Sequence, residues 1–406
     1  MREGEAMKEA FEAIKVTETV YWVGAIDWNI RDFHGYSTSK GTTYNAYLVL
    51  ADKVTLVDTV KAPFREELLA RISSVIDPEK IDYIISNHSE MDHSGCLPEI
   101  IGAVKPEKVF ASPMGVKALG DHFHLGLDIT EVKDGERIDL GSRTITILEM
   151  RMLHWPDSMV SYLHEEKLLF SQDAFGMHLA SSERFDDELE LPLLEREAAK
   201  YYANILLPFS RQVLKALDRL GEAKLEFDII APDHGPVWRK SQGRMLELYR
   251  TWAEQRRGAK AVIVYDTMWG STAKMAAAIA DGLTAGGASV KVMKLRAAHR
   301  SDIATEILDA GALVVGSPTL NNNIFPTVAD LLVYLKGLKP VGLIGAAFGS
   351  YGWSGESVKQ VEELLDGMKV EIAAEPQRAR YVPDGEMLAA CRKLGETLAE
   401  KLSSSE

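Results

Sequence analysis

The segment AVIVYDTMWGSTAKMAAAIADGL (261–283) passes from an apolar run into a Gly/Ser/Thr turn and then into apolar residues at helical spacing. An apolar stretch of this length, closed by turn residues, reads as a strand buried on both faces. The pattern recurs downstream in SVKVMKL (289–295), ALVVGSP (312–318) and VGLIGAAFGS (341–350), with amphipathic stretches of helix length between. Strands alternating with helices imply a doubly wound parallel sheet of about five strands in ~150 residues.

Upstream the character changes. LELYRTWAEQRRGAK (246–260) is polar, helical in pattern, and closes on Arg256, Arg257 and Gly258, which suit a helix C-terminus. The boundary is expected there, giving residues 1–254 as one domain and 255–406 as a second. In the first domain the strand-like runs are shorter and more numerous, among them VYWVG, YNAYLVLA, IDYIISN, TITILEM, MVSYLHE, KLLFSQD and FDIIAPD. Helical stretches fall at 63–76 and 197–219. Many short strands with interspersed helices predict a two-sheet αββα sandwich.

Bulk properties narrow the function. The net charge of −14 over 406 residues disfavours nucleic acid or an anionic membrane as partner. The two cysteines, Cys96 and Cys391, provide neither a disulfide framework nor a thiolate metal site and fit a reducing cytoplasm. The charged stretch MREGEAMKEAFEAIK lacks the apolar centre of a signal peptide, and no apolar run is long enough to span a bilayer.

The loop after IDYIIS, NHSEMDH (87–93), packs four potential metal ligands into six positions: His88, Glu90, Asp92 and His93. In extended backbone residues i and i+2 face the same way, so His88 and Glu90 converge on one point. Asp92 and His93, past a turn at a helix start, converge on a second. His154, Asp173 and His234 end other strand-like runs. Seven such side chains exceed one tetrahedral ion and suit two ions sharing a carboxylate. Mixed imidazole and carboxylate ligands suit non-haem iron, with zinc and manganese left open by ligand type alone. His122, His124, His164, His178 and His299 read as surface or packing residues.

In the second domain YDTMWGST (265–272) joins a strand to a helix N-terminus. Thr267, Ser271 and Thr272 offer hydroxyls there, and Gly270 permits a tight turn, which together suit one phosphate. No P-loop lysine and no GxGxxG is present, against nucleoside triphosphates and dinucleotides. Two further loops, SPTLNNN (317–323) and GSYGWSGE (349–356), leave later strands at the same end. Asn321 and Asn322 can hydrogen-bond a flat heterocycle, and Trp269, Tyr351 and Trp353 can flank it. FMN has both features.

HSEMDH, MLHWPDS, SQDAFG, PDHGP and YDTMWGST, in that order, resemble the flavodiiron proteins, in their minimal two-domain form. The resemblance implies a metallo-β-lactamase-like domain followed by a flavodoxin-like domain. It implies a bridged di-iron centre, with His88, Glu90, His154 and Asp173 on one iron and Asp92, His93, Asp173 and His234 on the other. It implies FMN held by Thr267, Met268, Trp269, Gly270, Ser271 and Thr272, by Pro318, Thr319, Leu320, Asn321 and Asn322, and by Gly349, Ser350, Tyr351, Gly352, Trp353 and Ser354. His34 and Tyr201 resemble residues on the substrate side of the metals, with Tyr202 an equal claimant. The implied activity passes electrons from an external donor, a rubredoxin or a reduced deazaflavin, through FMN to iron. Dioxygen is reduced to water, nitric oxide to nitrous oxide, or both. A head-to-tail homodimer is the family's usual assembly. The alternative from another class is a zinc-dependent hydrolase with a fused flavodoxin-like regulatory domain; a third is an electron carrier with a vestigial metal site.

Overall fold

A computed structural model describes residues 11–124, 126 and 128–404. The start of the charged N-terminal stretch and the last two residues lie outside that description. The described residues form two compact units, one falling within 1–34, 38–201 and 211–250, the other within 35–37, 202–210 and 251–406.

The first unit contains two main sheets. One runs in chain order: β1 (Ile14–Lys15), β2 (Val20–Trp22), β3 (Tyr47–Val49), β4 (Thr55–Val57), β5 (Tyr83–Ser86), β6 (Lys108–Ala111) and β7 (Thr130–Glu131). The pairings from β1 to β4 are antiparallel, and those from β4 to β7 parallel. The other sheet is β8 (Arg137–Asp139), β9 (Thr144–Glu149), β10 (Met159–Leu163), β11 (Leu168–Gln172) and β12 (Ile229–Pro232), again in chain order.

Strand alternation separates two cores. Tyr47, Val49, Val57 and Ile85 point into the layer between the sheets, where they meet Ile145, Ile147, Met159, Leu168 and Phe170. Their neighbours Leu48, Leu56 and Ile84 point the other way. There they meet Leu68 and Ile72 of α1 (Arg65–Ser73), Leu97 and Ile100 of α2 (Leu97–Val104) and Leu119 of α3 (Pro113–Phe123). A period of two with both faces apolar is what a sheet between a sheet and a helix layer requires.

The helix expected at 197–219 is not one helix. It starts earlier, as α4 (Leu191–Tyr201), and gives way to a π-type turn over Tyr202–Leu206 and a 3₁₀ turn over Leu207–Phe209. It resumes as α5 (Ser210–Glu222). Pro208 explains the interruption, since it has no N–H to donate and its ring clashes with the carbonyl a turn earlier. Helix α6 (Gln242–Glu254) follows β12.

In the second unit β13 (Gly258–Tyr265), β14 (Ser289–Lys294), β15 (Ala310–Gly316), β16 (Ile344–Tyr351) and β17 (Glu371–Ile372) pair in the order β14–β13–β15–β16–β17, and β18 (Gln377–Arg380) also pairs with β16. Every pairing is parallel. The order is that of a flavodoxin-like sheet, with its crevice at the carboxyl ends of the strands around β13 and β15. Helix α7 (Ser271–Ala285) and the C-terminal helix α8 (Gly385–Ser403) cover one face, with Met275, Ile279, Leu394 and Leu398 in its core. Glycines set their close approach. A Cβ on Gly282 would meet Arg392 O at 2.0 Å, and one on Gly395 would meet Ile279 O at 2.2 Å.

Candidate metal centre and flavin cavity

The loop after β5 turns directly into a short helix, Met91–Ser94, which puts Asp92 and His93 on its first turn. His154 follows β9, Asp173 follows β11 and His234 follows β12, so each ligand candidate leaves the same end of a strand. Two groups result: His88, Glu90, His154 and Asp173, and beside them Asp92, His93 and His234, with donor atoms in each group within 4.8 Å of one another. Asp173 joins them. Its Oδ2 lies 3.3 Å from His88 Nε2 and 2.9 Å from His154 Nε2, while its Oδ1 lies 3.2 Å from His93 Nε2 and 3.4 Å from His234 Nε2.

The imidazoles are oriented from behind. His88 Nδ1 is 3.3 Å from Asp157 Oδ2 and His234 Nδ1 is 2.6 Å from the Thr43 carbonyl oxygen; Asp233 Oδ2 stands behind His93 Nδ1 at 3.6 Å, too far for a hydrogen bond. Such partners fix the tautomer and aim Nε2 inward, as in carboxylate–histidine–metal arrangements. The backbone at Asp173 is itself held in an uncommon shape, with Gln172 at φ +49 and Phe175 at φ +67. Strain of this kind persists where the surroundings over-determine it, and it clusters at functional sites.

The electrostatics call for a cation. Glu90, Asp92 and Asp173 are buried, and among the described residues their ion pairs are with histidines, none with Lys or Arg. Burial disfavours a charge on His88, but hydrogen bonds with Asp157, Asp173 and Glu90 outweigh it and lift the imidazole well above its usual pKa. His93, equally buried, is lifted to about 10 by Asp92, Asp233 and Asp173. Burial would raise the Asp173 carboxyl, yet His93, His154 and His88 hold it well below the carboxylate range. Among the described residues, both oxygens of Asp92, both nitrogens of His93 and Oδ1 of Asp173 have no hydrogen-bond partner. Buried polar atoms in this state fit first-row metal ions, which would take over the role of the imidazolium charges.

A cleft of about 510 Å³ opens onto Glu90 and Asp92, walled in part by Phe33, His34, Met91 and Trp155. His34 stands in it with Nε2 3.2 Å from Glu90 Oε1 and its side chain 71% exposed. Tyr201 and Tyr202 separate clearly. Tyr201 is buried with its ring 5.1 Å from that of His178 and 6.0 Å from that of His234. Tyr202 hydrogen-bonds Ser210 at 3.1 Å and packs on Trp252. His178, read from sequence as packing, in fact borders the cluster. Its ring lies 4.8 Å from His234, its Nδ1 lies 2.8 Å from Thr42 Oγ1, and burial pushes its pKa well down. Asp157 and Asp233 carry no sequence signal of their own, although each sits within three residues of a ligand candidate.

In the second unit a cavity of about 370 Å³ is lined by Met268, Trp269 and Ser271, by Pro318 to Asn322, and by Ser350 to Ser354. Tyr381, at the end of β18, completes the wall and was not foreseen. Thr267, Gly270, Thr272 and Gly349 act behind it. Thr267 Oγ1 accepts from Gly270 N at 3.1 Å, and Thr272 bonds Ser350 at 3.0 Å. Gly270 turns at φ +88. A Cβ on Gly349 would meet Ser317 O at 2.0 Å. Helix α7 begins at the cavity with no side-chain cap, so its first N–H groups stay available to an anion. Trp269 and Trp353 are 95% and 86% exposed, flat apolar surfaces of the kind that cover a planar ring or a partner. The cavity fits a flat heterocycle carrying one phosphate.

Known proteins agree with this geometry. A family model described as "ODP family beta lactamase" matches residues 42–235, and one described as "Flavodoxin" matches residues 263–395. A nitric oxide reductase of Moorella thermoacetica is 50% identical over 97% of this chain and 99% of its own length. A rubredoxin-oxygen oxidoreductase of Megalodesulfovibrio gigas is 49% identical with the same coverage. The crystal structure of the flavodiiron protein of Giardia intestinalis superposes with a TM-score of 0.93 at 33% identity, over 97% of each chain. This chain belongs to the flavodiiron protein family.

Proposed function

We propose that the protein is an oxidoreductase that takes electrons from a rubredoxin-type donor and reduces dioxygen to water, nitric oxide to nitrous oxide, or both. The observation carrying this is the division of Asp173 between the two ligand groups, one oxygen to each, which suits a bridged pair of iron ions. The names of the two relatives support the reading, and neither names a hydrolase. Iron would be held by His88, Glu90, His154 and Asp173 and by Asp92, His93, Asp173 and His234, and FMN by the three loops around the 370 Å³ cavity. FMN supplies an electron store that accepts and passes single electrons, and paired iron supplies two adjacent redox-active centres.

The chain's own residues do the rest. Asp157 and the Thr43 carbonyl keep the His88 and His234 imidazoles aimed. His34, on the open side beside Glu90, orients the incoming gas and holds a proton at Nε2 for the product oxygen. Tyr201 walls the site beside His178 and His234 and keeps water out. The assembly is a head-to-tail homodimer, favoured by exposed Trp269 and Trp353 at the flavin cavity and exposed Met91 at the metal cleft. The protein works in the cytoplasm, where Cys96 and Cys391 stay thiols. Among the described residues no helix is long and apolar enough to cross a membrane.

The test is anaerobic, iron-loaded protein carrying FMN. Photoreduction of the flavin should be followed by consumption of dioxygen or nitric oxide, with about two iron per chain. A reduced flavin indifferent to both gases, or a zinc-only protein hydrolysing thioesters or phosphodiesters, overturns the reading.

A further inference from the structure

The cleft at His34 is not the sole approach to the ligand groups. A second one shares no lining residue with it. Between α5 and the second sheet lies a void of about 10 Å³, walled by Val213, Ala216, Leu217 and Leu220 on one side and Val160 and Leu169 on the other. Leu153 and Ala174 close its inner end, and they are the chain neighbours of His154 and Asp173. The lining's polar side chain, Tyr249, has its hydroxyl engaged, accepting from Phe175 N at 2.7 Å. Phe175 itself takes φ +67, a costly conformation for an aromatic residue, and lays its ring 4.6 Å from that of Tyr249. Toward the surface a cavity of about 290 Å³, lined by Leu225, Phe227 and Leu246 with Glu247 and Arg250 at its edge, shares Leu217 and Leu220 with the void.

Two leucines thus stand between an outer apolar cavity and an inner one that ends one residue from two ligand candidates. The inner void, at about 10 Å³, is at the lower limit for one water-sized molecule, and its walls offer water none of the two to four polar partners it needs. Apolar space of this kind stays dry and takes up gases such as xenon. Resting on the function proposed above, we infer that this void is a holding site for an apolar diatomic gas, fed between Leu217 and Leu220 and emptying toward His154 and Asp173. It gives the gas a second route, lined by other residues than the cleft in which His34 stands.

Two measurements on the holoenzyme test this. Crystals pressurised with xenon should show anomalous density in the void of the wild type and lose it in Leu220→Phe or Ala216→Val. In steady-state assays with the gas varied, those variants should lose about fivefold or more in kcat/KM for the gas, with kcat at saturating gas and the iron and FMN contents unchanged. Xenon found at other places alone, or wild-type kcat/KM in a variant whose void is filled, overturns the proposal. Should neither variant fold, xenon in the wild type decides it. A wild-type holoenzyme that consumes neither gas sinks the proposed function and leaves xenon occupancy to judge the void.

Discussion

Asp157 gives the sharpest perturbation of the metal centre without touching a ligand. It is buried, and its Oδ2 accepts from Ser89 N at 2.6 Å and meets His88 Nδ1 at 3.3 Å. Asp157→Asn can keep an oxygen at that point but loses the charge that fixes the His88 tautomer; Asp157→Ala loses both contacts. Removal of such an outer partner weakens metal binding by about 10–100-fold. At about 1.4 kcal/mol per decade, Asn should cost about 1.4 kcal/mol and Ala about 2.8 kcal/mol. The loss should fall on the group built from His88, Glu90, His154 and Asp173. Asp233→Asn, 3.6 Å behind His93, should weaken the other group instead. The assay is anaerobic titration of apoprotein with ferrous iron against a competing chelator, with thermal unfolding of the apoprotein as the control for folding. Unchanged affinities, or the same pattern of loss from both substitutions, would refute the idea that each carboxylate serves its own histidine.

Other outcomes follow from named contacts. Tyr201→Ala, which removes the ring walling His178 and His234, should slow gas turnover about tenfold, whereas Tyr202→Phe should leave turnover alone and cost about 1 kcal/mol of stability through its bond to Ser210; turnover and denaturant melts separate the two. Trp353→Ala should weaken FMN about tenfold, about 1.4 kcal/mol, by fluorescence titration, without altering iron content. Burial would raise the Glu166 carboxyl, but hydrogen bonds from Thr19, Thr17 and Arg143 outweigh it, so its folded pKa lies below the unfolded one. Its contribution is then whole above the ordinary carboxylate value and fades as pH falls through the folded one. Glu166→Gln should therefore flatten the acid limb of unfolding curves by under about 1 kcal/mol, the pair being partly solvated.

Ligand candidates were legible because each sits where an apolar run stops, and strand ends gather at one edge of a layered sheet. His88 and Glu90 in extended backbone, then Asp92 and His93 on a helical turn, needed local geometry alone. The partners behind them were not legible. Asp157 and Asp233 neighbour ligands in sequence, yet which way a loop side chain turns depends on strands distant in the chain. His178 and Thr42 meet across 136 positions, which periodicity does not register. Neighbouring residues on a helix point about 100° apart, so Tyr201 and Tyr202 could not be ranked without the helix phase. The break between α4 and α5 did carry a signal, Pro208, which the apolar spacing over 197–219 masked. Tyr381 reaches the flavin cavity from β18, a short strand with no motif to announce it.

Asp173, clamped between two residues in left-handed backbone, has little freedom to serve its two sets of neighbours one at a time. Its angle is set by the fold before any ion arrives, so one oxygen stands ready for each group at the same moment. Emptying and refilling the centre should then leave this stretch of backbone as it was.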